Sequence, residues 1–197
     1  MHAVHAGDPG EGALREYLGM GLSALTVLAL AAGCDSVDAL VRHLGARGPG
    51  IVLAGRRGEG GEDSGMVPYL VARGLDAALV PDVVAIRLTG DGAAEVLQAL
   101  PRGQRRAVRV RLPFVATVHP AAPPPHPVAY GPARRGLIAT VAADAPVDGF
   151  LAACEAGPWR PRPKLMATGG GASAQERLRA ATESKAGEGR LMVGIDP

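Results

Sequence analysis

The chain has 197 residues, of which 47% are hydrophobic, 20% are charged and only 3% are aromatic, and its formal net charge is +2. This length suits one domain with an extension, and the low aromatic content requires a core of Ala, Val and Leu. The balanced charge excludes a nucleic-acid binder that works through bulk charge. Two cysteines form neither a disulfide framework nor a metal quartet. A chain without a disulfide framework suits a reducing cytoplasm, where we expect this protein. We expect no signal peptide, because residues 1–7 lack a charged start followed by an apolar run. We expect no membrane insertion, because the apolar run 22–32 is too short to span a bilayer.

The first part of the chain alternates between predicted strands and helices. Apolar runs predict strands over 3–6, 26–30 and 51–54, and helical periodicity predicts helices over 11–20, 36–44 and 66–73. This alternation is typical of a largely parallel sheet that is covered by helices on both faces. We therefore predict a Rossmann-like α/β fold in which these strands and a later one, 115–118, lie in one largely parallel sheet.

An antiparallel hairpin is predicted over about 83–112. Glycine- and proline-containing turns separate short strand patterns over 83–88, 94–100 and 107–112. In the last of them, Val108 and Val110 alternate with Arg109 and Arg111, as in a strand with one exposed face.

The rest of the chain is predicted to be extended for the most part. Residues 120–127 are rich in proline and stiff. From 158 onward, Pro, Gly, Ser and charged residues predict an arm with little core of its own, interrupted by a helix over 173–182 with Ser173 and Glu176 as a capping box. We therefore predict an α/β nucleotide-binding-like domain over 1–157 and an extended, partner-dependent arm over 158–197.

The glycine-rich loop 55–65 is the main chemical feature. It follows an apolar strand and precedes a helix, where free backbone N–H groups and the helix dipole favour an anion. Ser64 adds a hydroxyl donor, and Arg56 or Arg57 adds a counter-charge, whereas three carboxylates in the loop oppose an anion. The loop matches neither a Walker motif nor a G-x-G-x-x-G fingerprint. From the residues alone, phosphate binding and a flexible connection without a ligand both stay open.

No catalytic constellation is evident in the sequence. The five histidines show neither H-x-x-x-H nor H-E-x-x-H spacing, and there is no G-x-S-x-G elbow. We therefore expect no metal site and no enzymatic activity of the chain alone, and a small hydrolase is disfavoured.

Three stretches, in this order, resemble the β subunit of electron-transfer flavoproteins. Val4 and Gly7 stand at the family's V-x-x-G turn, before a helix that ends L-R-x-x-L-x-M-G. Residues 63–67, DSGMV, stand where the family has D-T-G-Q-V, and residues 112–118, LPFVATV, resemble its L-P-A-V-V-T-V strand. The resemblance covers about residues 2–140, and the order and spacing of the motifs make it specific.

The resemblance implies a heterodimer with an α subunit that holds most of an FAD. Electrons would arrive from flavin dehydrogenases and leave to a quinone reductase. It also implies a structural AMP, and the family's first strand and helix would precede Met1, as in an N-terminally shortened member. The residues that match the family's cofactor-binding positions are Ala6, Gly7, Gly55, Arg56, Gly61, Asp63, Ser64, Gly65, Met66 and Val67.

Residues 123–136 stand in the place of the family's dehydrogenase-recognition loop, in which an apolar anchor precedes a basic cluster. Here Val128 and Tyr130 would supply the anchor, and Arg134 and Arg135 the basic cluster. Two other functions stay open for the same fold: a stand-alone adenine-nucleotide-binding module and a nucleotide-free interaction scaffold.

Overall fold

The computed structural model describes residues 1–58, 64–155, 157 and 173–182. The chain divides into two units, Met1–Glu155 and Ala156–Pro197. The elements of the first unit are β1 (Ala3–Gly7), α1 (Ala13–Gly19), β2 (Ala24–Ala29), α2 (Ser36–Arg47), β3 (Ile51–Ala54), α3 (Val67–Gly74), β4 (Ala78–Leu88), β5 (Ala93–Ala99), a 3₁₀ turn (Pro101–Gly103), β6 (Arg105–Arg111), β7 (Phe114–Val118), α4 (Tyr130–Arg135), β8 (Leu137–Ala142) and α5 (Gly149–Ala153). The second unit contains α6 (Ala174–Thr182).

A three-stranded sheet has the order β1-β2-β8, with all neighbours parallel. Its core forms where α1 packs on alternate residues of β2: Leu14 and Leu18 of the helix bury against Leu25 and Val27 of the strand. Thr26 lies on the opposite face, where its hydroxyl is 3.0 Å from His2 Nε2. Both faces of β2 are thus buried, which is what the continuous apolar run of a central parallel strand requires.

A five-stranded sheet has the order β3-β7-β4-β5-β6. The strands β3, β7 and β4 are parallel to one another, whereas β4-β5-β6 form an antiparallel meander. Its core brings together small and β-branched side chains around one aromatic ring, namely Val80, Val83, Ala94, Val96, Phe114 and Ala116.

The predicted α/β class, with parallel strands, an antiparallel hairpin and helices, is confirmed. The prediction that strands 3–6, 26–30, 51–54 and 115–118 share one sheet is wrong, because β1 and β2 belong to one sheet and β3 and β7 to the other. Within the described part of the chain, no strand joins β1 to β3. The helices bridge the two sheets instead, since α2 contacts β1 and α3, and α3 contacts β7 and β4.

Several local features agree with the predictions, and others were missed. The capping box of α6 is formed: the Ser173 N–H donates to Glu176 Oε2 at 3.1 Å, and the Glu176 N–H donates to Ser173 Oγ at 3.2 Å. Three elements that had not been predicted are α4, β8 and α5. Each helix in the described part of the chain is too short or too polar to span a bilayer. The domain boundary at 157 stays a prediction.

Candidate functional site

A recess of about 310 Å³ lies beside the start of α3. One wall comes from the glycine-rich loop and its helix, and the other from β4 and the end of β7. Arg56, Ser64, Gly65 and Met66, which the sequence predicted as cofactor-binding residues, all line it. The structure thus gathers the two described ends of the loop around one surface cavity.

Gly65 is the tightest point of the loop wall. Its φ is +70°, and a Cβ at this position would lie 2.8 Å from the backbone oxygen of Arg56. Only glycine fits both conditions, because L-residues are disfavoured at positive φ and the neighbouring atom belongs to the backbone. Ser64 Oγ accepts a hydrogen bond from the Met66 N–H at 3.3 Å, which leaves its own hydroxyl hydrogen available as a donor.

A β-bulge in β4 builds the opposite wall. The β4–β7 register shifts between Val80 and Val83, and Asp82 within the shift has a φ of +57°. The Asp82 N–H donates to Thr117 Oγ1 at 2.9 Å, and the Thr117 side chain is buried. Bulges of this kind redirect a side chain out of the strand pattern.

Buried Gln98 secures the bulge from the neighbouring strand. Its Nε2 donates to the Pro81 carbonyl at 2.7 Å, and its Oε1 accepts from Arg106 Nε at 3.0 Å and from Arg106 Nη2 at 2.7 Å. Because its amide is bonded on both sides, the turn that carries Asp82 is held in place.

The recess carries two arginines and one carboxylate. Arg56 Nε lies 2.7 Å from Asp82 Oδ1, with 48% and 34% of the two side chains exposed. Although the side chains are partly exposed, the Asp82 Oδ1 atom itself is buried, so an anion that takes Arg56 leaves that oxygen without its charge partner. Arg57 lines the same cavity. The arrangement suits an anionic group that competes with Asp82 for the Arg56 guanidinium.

The other predicted cofactor residues lie in different places. Gly55 directly follows β3, and Val67 is the first residue of α3, so both flank the recess. Gly61 and Asp63 lie outside the described residues.

Ala6 and Gly7 are not brought to the recess. They end β1, where they pair with Leu28 and Ala29 of the three-stranded sheet. They do not line the described cavity beside α3.

Sequence reasoning missed the wall formed by Pro81, Asp82 and Thr117, and also Tyr69 of α3. Pro81 did indicate this wall, because a proline inside an apolar strand run is typical of a bulge. Thr117 left no such signal, since its role depends on the pairing of β4 with β7.

Comparison with known proteins identifies the family. A model of the electron transfer flavoprotein domain matches residues 1–146 of the chain. The electron transfer flavoprotein subunit beta of Chromohalobacter salexigens is 44% identical over 198 residues, which cover 100% of this chain and 74% of that protein. The chain belongs to the electron transfer flavoprotein β-subunit family. Membership associates it with a flavin and with an α partner subunit.

In this β-subunit family member, the predicted docking segment ends in a short helix. Residues before Tyr130 are irregular, and α4 carries Tyr130, Arg134 and Arg135. Tyr130 is 75% exposed, and Arg134 Nη1 donates to its hydroxyl at 2.9 Å. The proline run predicts that the whole segment 123–136 is extended, whereas the structure shows a helix in the C-terminal part of this segment.

The segment is anchored on α1. Arg15 Nη1 donates to the Gly136 carbonyl at 2.9 Å, and the Ala129 N–H donates to the Gly19 carbonyl at 3.0 Å. A Cβ at Gly19 would lie 2.5 Å from Val128 Cγ1 and 3.2 Å from Ala133 Cβ of α4, so α1 packs closely on the segment there. Val128 is 46% exposed. The residues predicted as the apolar anchor and the basic cluster are thus held against α1.

Proposed function

We propose that this chain is the β subunit of a heterodimeric electron-transfer flavoprotein, which carries electrons from flavin dehydrogenases to an acceptor such as a quinone reductase. The observation that carries the proposal is the 44% identity along the whole chain to a protein named as such a subunit. The match of the family domain to residues 1–146 supports it.

In this role the chain acts as a carrier subunit rather than as an enzyme on its own. FAD, held mostly by the α subunit, supplies the redox chemistry when bound. The residues of this chain then have two tasks: to hold the partner subunit and to present docking surfaces.

The recess beside α3 is our proposed site for the phosphate of an AMP. Its residues fit such a group, since Arg56 and Arg57 supply positive charge and Ser64 supplies a hydroxyl donor. The missing Cβ of Gly65 leaves the backbone open to close approach by a ligand. The Asp82 carboxylate opposes the anion, and its ion pair with Arg56 has to rearrange when phosphate binds.

The segment 123–136 is our proposed docking element for the donor dehydrogenase. The hydrogen bond from Arg134 to the Tyr130 hydroxyl holds a large amphipathic ring beside a cation on an exposed helix. Such rings are frequent anchors of protein interfaces. Arg135 adds a second cation, and Val128 adds apolar surface beside the ring.

The test is co-expression with an α subunit of the same family. We expect a stoichiometric complex with the absorbance of bound FAD, AMP released on denaturation, and little FAD bound to this chain alone. Gly65→Ala should abolish AMP release while the complex and its flavin persist. The matched control is Gly90→Ala, which has a similar φ of +81° and open space around its Cβ position.

Two results would contradict the proposal in different ways. Tight FAD binding by the isolated chain would exclude a subunit that depends on its partner. A flavin-containing complex that releases no AMP and ignores added AMP in calorimetry would remove the recess assignment alone, and would leave the carrier role intact.

A further inference from the structure

One face of the β4-β5-β6 meander is exposed. Ala94 and Val96 of β5 point into the core with no exposed surface, so Glu95 and Leu97 point to the other side. Across the strands, Glu95 pairs with Arg87 and Arg109, and Leu97 pairs with Ala85 and Ala107, in the register of directly opposite residues. Opposite residues share a face of the sheet. We call this surface the arginine face, which comprises Ala85, Arg87, Glu95, Leu97, Arg105, Ala107, Arg109 and Arg111.

The arginine face carries an excess of positive charge. Residues 83–112 contain six arginines and two carboxylates, and four of these arginines and Glu95 lie on the face, which gives it a formal charge of +3. Glu95 forms an ion pair with Arg87, and Asp91 forms one with Arg109. Both carboxylates of the stretch are therefore already used.

Two arginines at the ends of β6 are not neutralised by a carboxylate of the described residues. Among the described residues, Arg111 forms no ion pair, and Arg105 donates only to the backbone carbonyls of Gly103 and Gln104. Arg111 and Arg109 border an open recess of about 470 Å³ at the tip of the hairpin. A guanidinium that lacks a carboxylate partner binds an external carboxylate in two-pronged geometry.

The chemistry of this face favours a protein partner. Ala85, Leu97 and Ala107 form an apolar strip between the charged row of Arg87–Glu95–Arg109 and the guanidinium of Arg105. An apolar centre with a charged rim is the usual anatomy of a protein interface. The described face offers no aromatic ring for a base to stack on, which disfavours a nucleic acid.

We propose that the arginine face docks the acidic surface of a redox-partner protein, whose carboxylates pair with Arg105 and Arg111 around a contact on Leu97. The inference rests on the proposed carrier function. It names a second docking surface, distinct from the segment 123–136. Permanent subunit interfaces are mostly hydrophobic. A charged face of this kind serves a transient complex, in which electrostatic attraction accelerates the encounter.

Protection of the edge strand explains the same charges differently. Charged side chains on an edge strand such as β6 oppose unwanted strand pairing. That role needs charge of either sign on the edge strand and no external ligand, so it predicts no binding of a carboxylate probe that depends on Arg105 and Arg111.

The test uses the full chain with fluorescein-labelled poly-L-glutamate as the probe, followed by fluorescence anisotropy at low salt. The double variant Arg105→Ser/Arg111→Ser should bind the probe at least about tenfold more weakly, because two charge-assisted contacts are lost. The matched control is Arg47→Ser/Arg73→Ser, which removes the same charge from the exposed last turns of α2 and α3. It should change binding by less than about twofold, since these positions lie outside the face.

Three outcomes would overturn the inference. Equal weakening by both double variants would mean that only net charge matters and that the face is not a specific carboxylate site. Tighter binding of an oligonucleotide of matched length, lost with Arg105 and Arg111, would make nucleic acid the occupant. Loss of the co-expressed α subunit from Arg105→Ser/Arg111→Ser would make the face part of the subunit interface. If the parent chain itself fails to bind an α subunit, the carrier function fails, and the probe result still decides whether the face binds carboxylates.

Discussion

The two sheets differ in how much of their strand pairing is local along the chain. In the five-stranded sheet, β4, β5 and β6 pair with their neighbours through short turns, and four of the five residues of β7 are buried. In the three-stranded sheet, β2 pairs with β8, which follows it by more than a hundred residues. This outer strand stays open to solvent, with Leu137 66% and Val141 49% exposed.

The candidate surfaces therefore depend on different sheets for their position. The recess and the arginine face are parts of the five-stranded sheet, so they depend on a core that is closed around Phe114. The docking segment instead depends on α1, which packs on the three-stranded sheet, because α4 contacts α1. Substitutions in one support should therefore disturb one set of surfaces more than the other.

The largest expected effect is on the core of the five-stranded sheet. Phe114→Ala removes a ring that is 1% exposed, and should lower the free energy of unfolding by about 3–5 kcal/mol. Leu137→Ala in β8 should change it by less than about 0.5 kcal/mol, because this side chain is mostly in solvent. Urea unfolding followed by circular dichroism measures both values. Similar losses for the two variants would mean that β8 is as closely packed as β7.

The next effect is on the junction of α1 and α4. Gly19→Ala would place a Cβ 2.5 Å from Val128 Cγ1 and 3.2 Å from Ala133 Cβ, so it should cost about 1–3 kcal/mol of unfolding free energy. Gly12→Ala is the control at the other end of the same helix, where φ is −61° and no atom lies within 4 Å of the Cβ position. It should be neutral or stabilise by up to about 1 kcal/mol.

If Gly19→Ala and Gly12→Ala unfold at the same urea concentration, α4 is not closely packed on α1. In that case α1 would not hold the docking segment in place, and docking would not depend on the three-stranded sheet.

Sequence patterns predicted the features that depend on local signals. The strand 51–54 coincides with β3, and the capping box of Ser173 and Glu176 forms as predicted, because both depend on residues within a few positions of one another. The arrangement of strands into two sheets could not be predicted. An apolar run shows that a strand is buried, but it does not specify the strand with which it pairs.

The same limit applies to the candidate site. Loop residues such as Arg56 and Gly65 were found because glycines before a helix form a local pattern. Asp82 and Thr117, 35 residues apart, meet only through the bulged pairing of β4 with β7. The strand β8 was missed because the apolar run that forms it follows a proline-rich stretch that we had interpreted as a recognition loop.

A third prediction compares the two proposed docking surfaces. In the flavin-containing heterodimer, Tyr130→Ala should slow electron uptake from the dehydrogenase by removing the exposed anchor, with flavin content unchanged. Arg134→Ser/Arg135→Ser should lower the association rate about tenfold at low salt, and the difference from the parent should fade as salt screens the charges. Stopped-flow reduction at two salt concentrations measures both effects.

The same measurement distinguishes docking by the segment 123–136 from docking by the arginine face. If the parent rate persists in both variants of α4 at low and high salt, the segment 123–136 is not the docking element. If Arg105→Ser/Arg111→Ser then lowers the rate, the arginine face carries the encounter instead.

The smallest expected effect is a pH dependence of the free energy of unfolding. It arises in α2, a helix that contacts β1 of the three-stranded sheet. The pKa of His43 in α2 is lowered from its usual value of 6.5, first by burial, then by the nearby charge of Arg47 and by His2. Its Nε2 atom is buried and has no hydrogen-bond partner among the described residues. The folded state therefore favours the neutral ring more than the unfolded state does.

Above a pH of about 6.5, His43 is mostly neutral in both states and does not affect stability. As the pH falls below this value, the unfolded chain takes up a proton that the folded chain resists, so the free energy of unfolding decreases until the pH passes the lowered pKa. His43→Gln should therefore show a smaller loss of stability between pH 7.5 and pH 5.5 than the parent, whereas His126→Gln, in the exposed proline-rich stretch, should follow the parent. Urea unfolding at the two pH values measures the difference. A parent-like loss in His43→Gln would show that other groups cause the acid sensitivity, because a neutral glutamine cannot take up the proton.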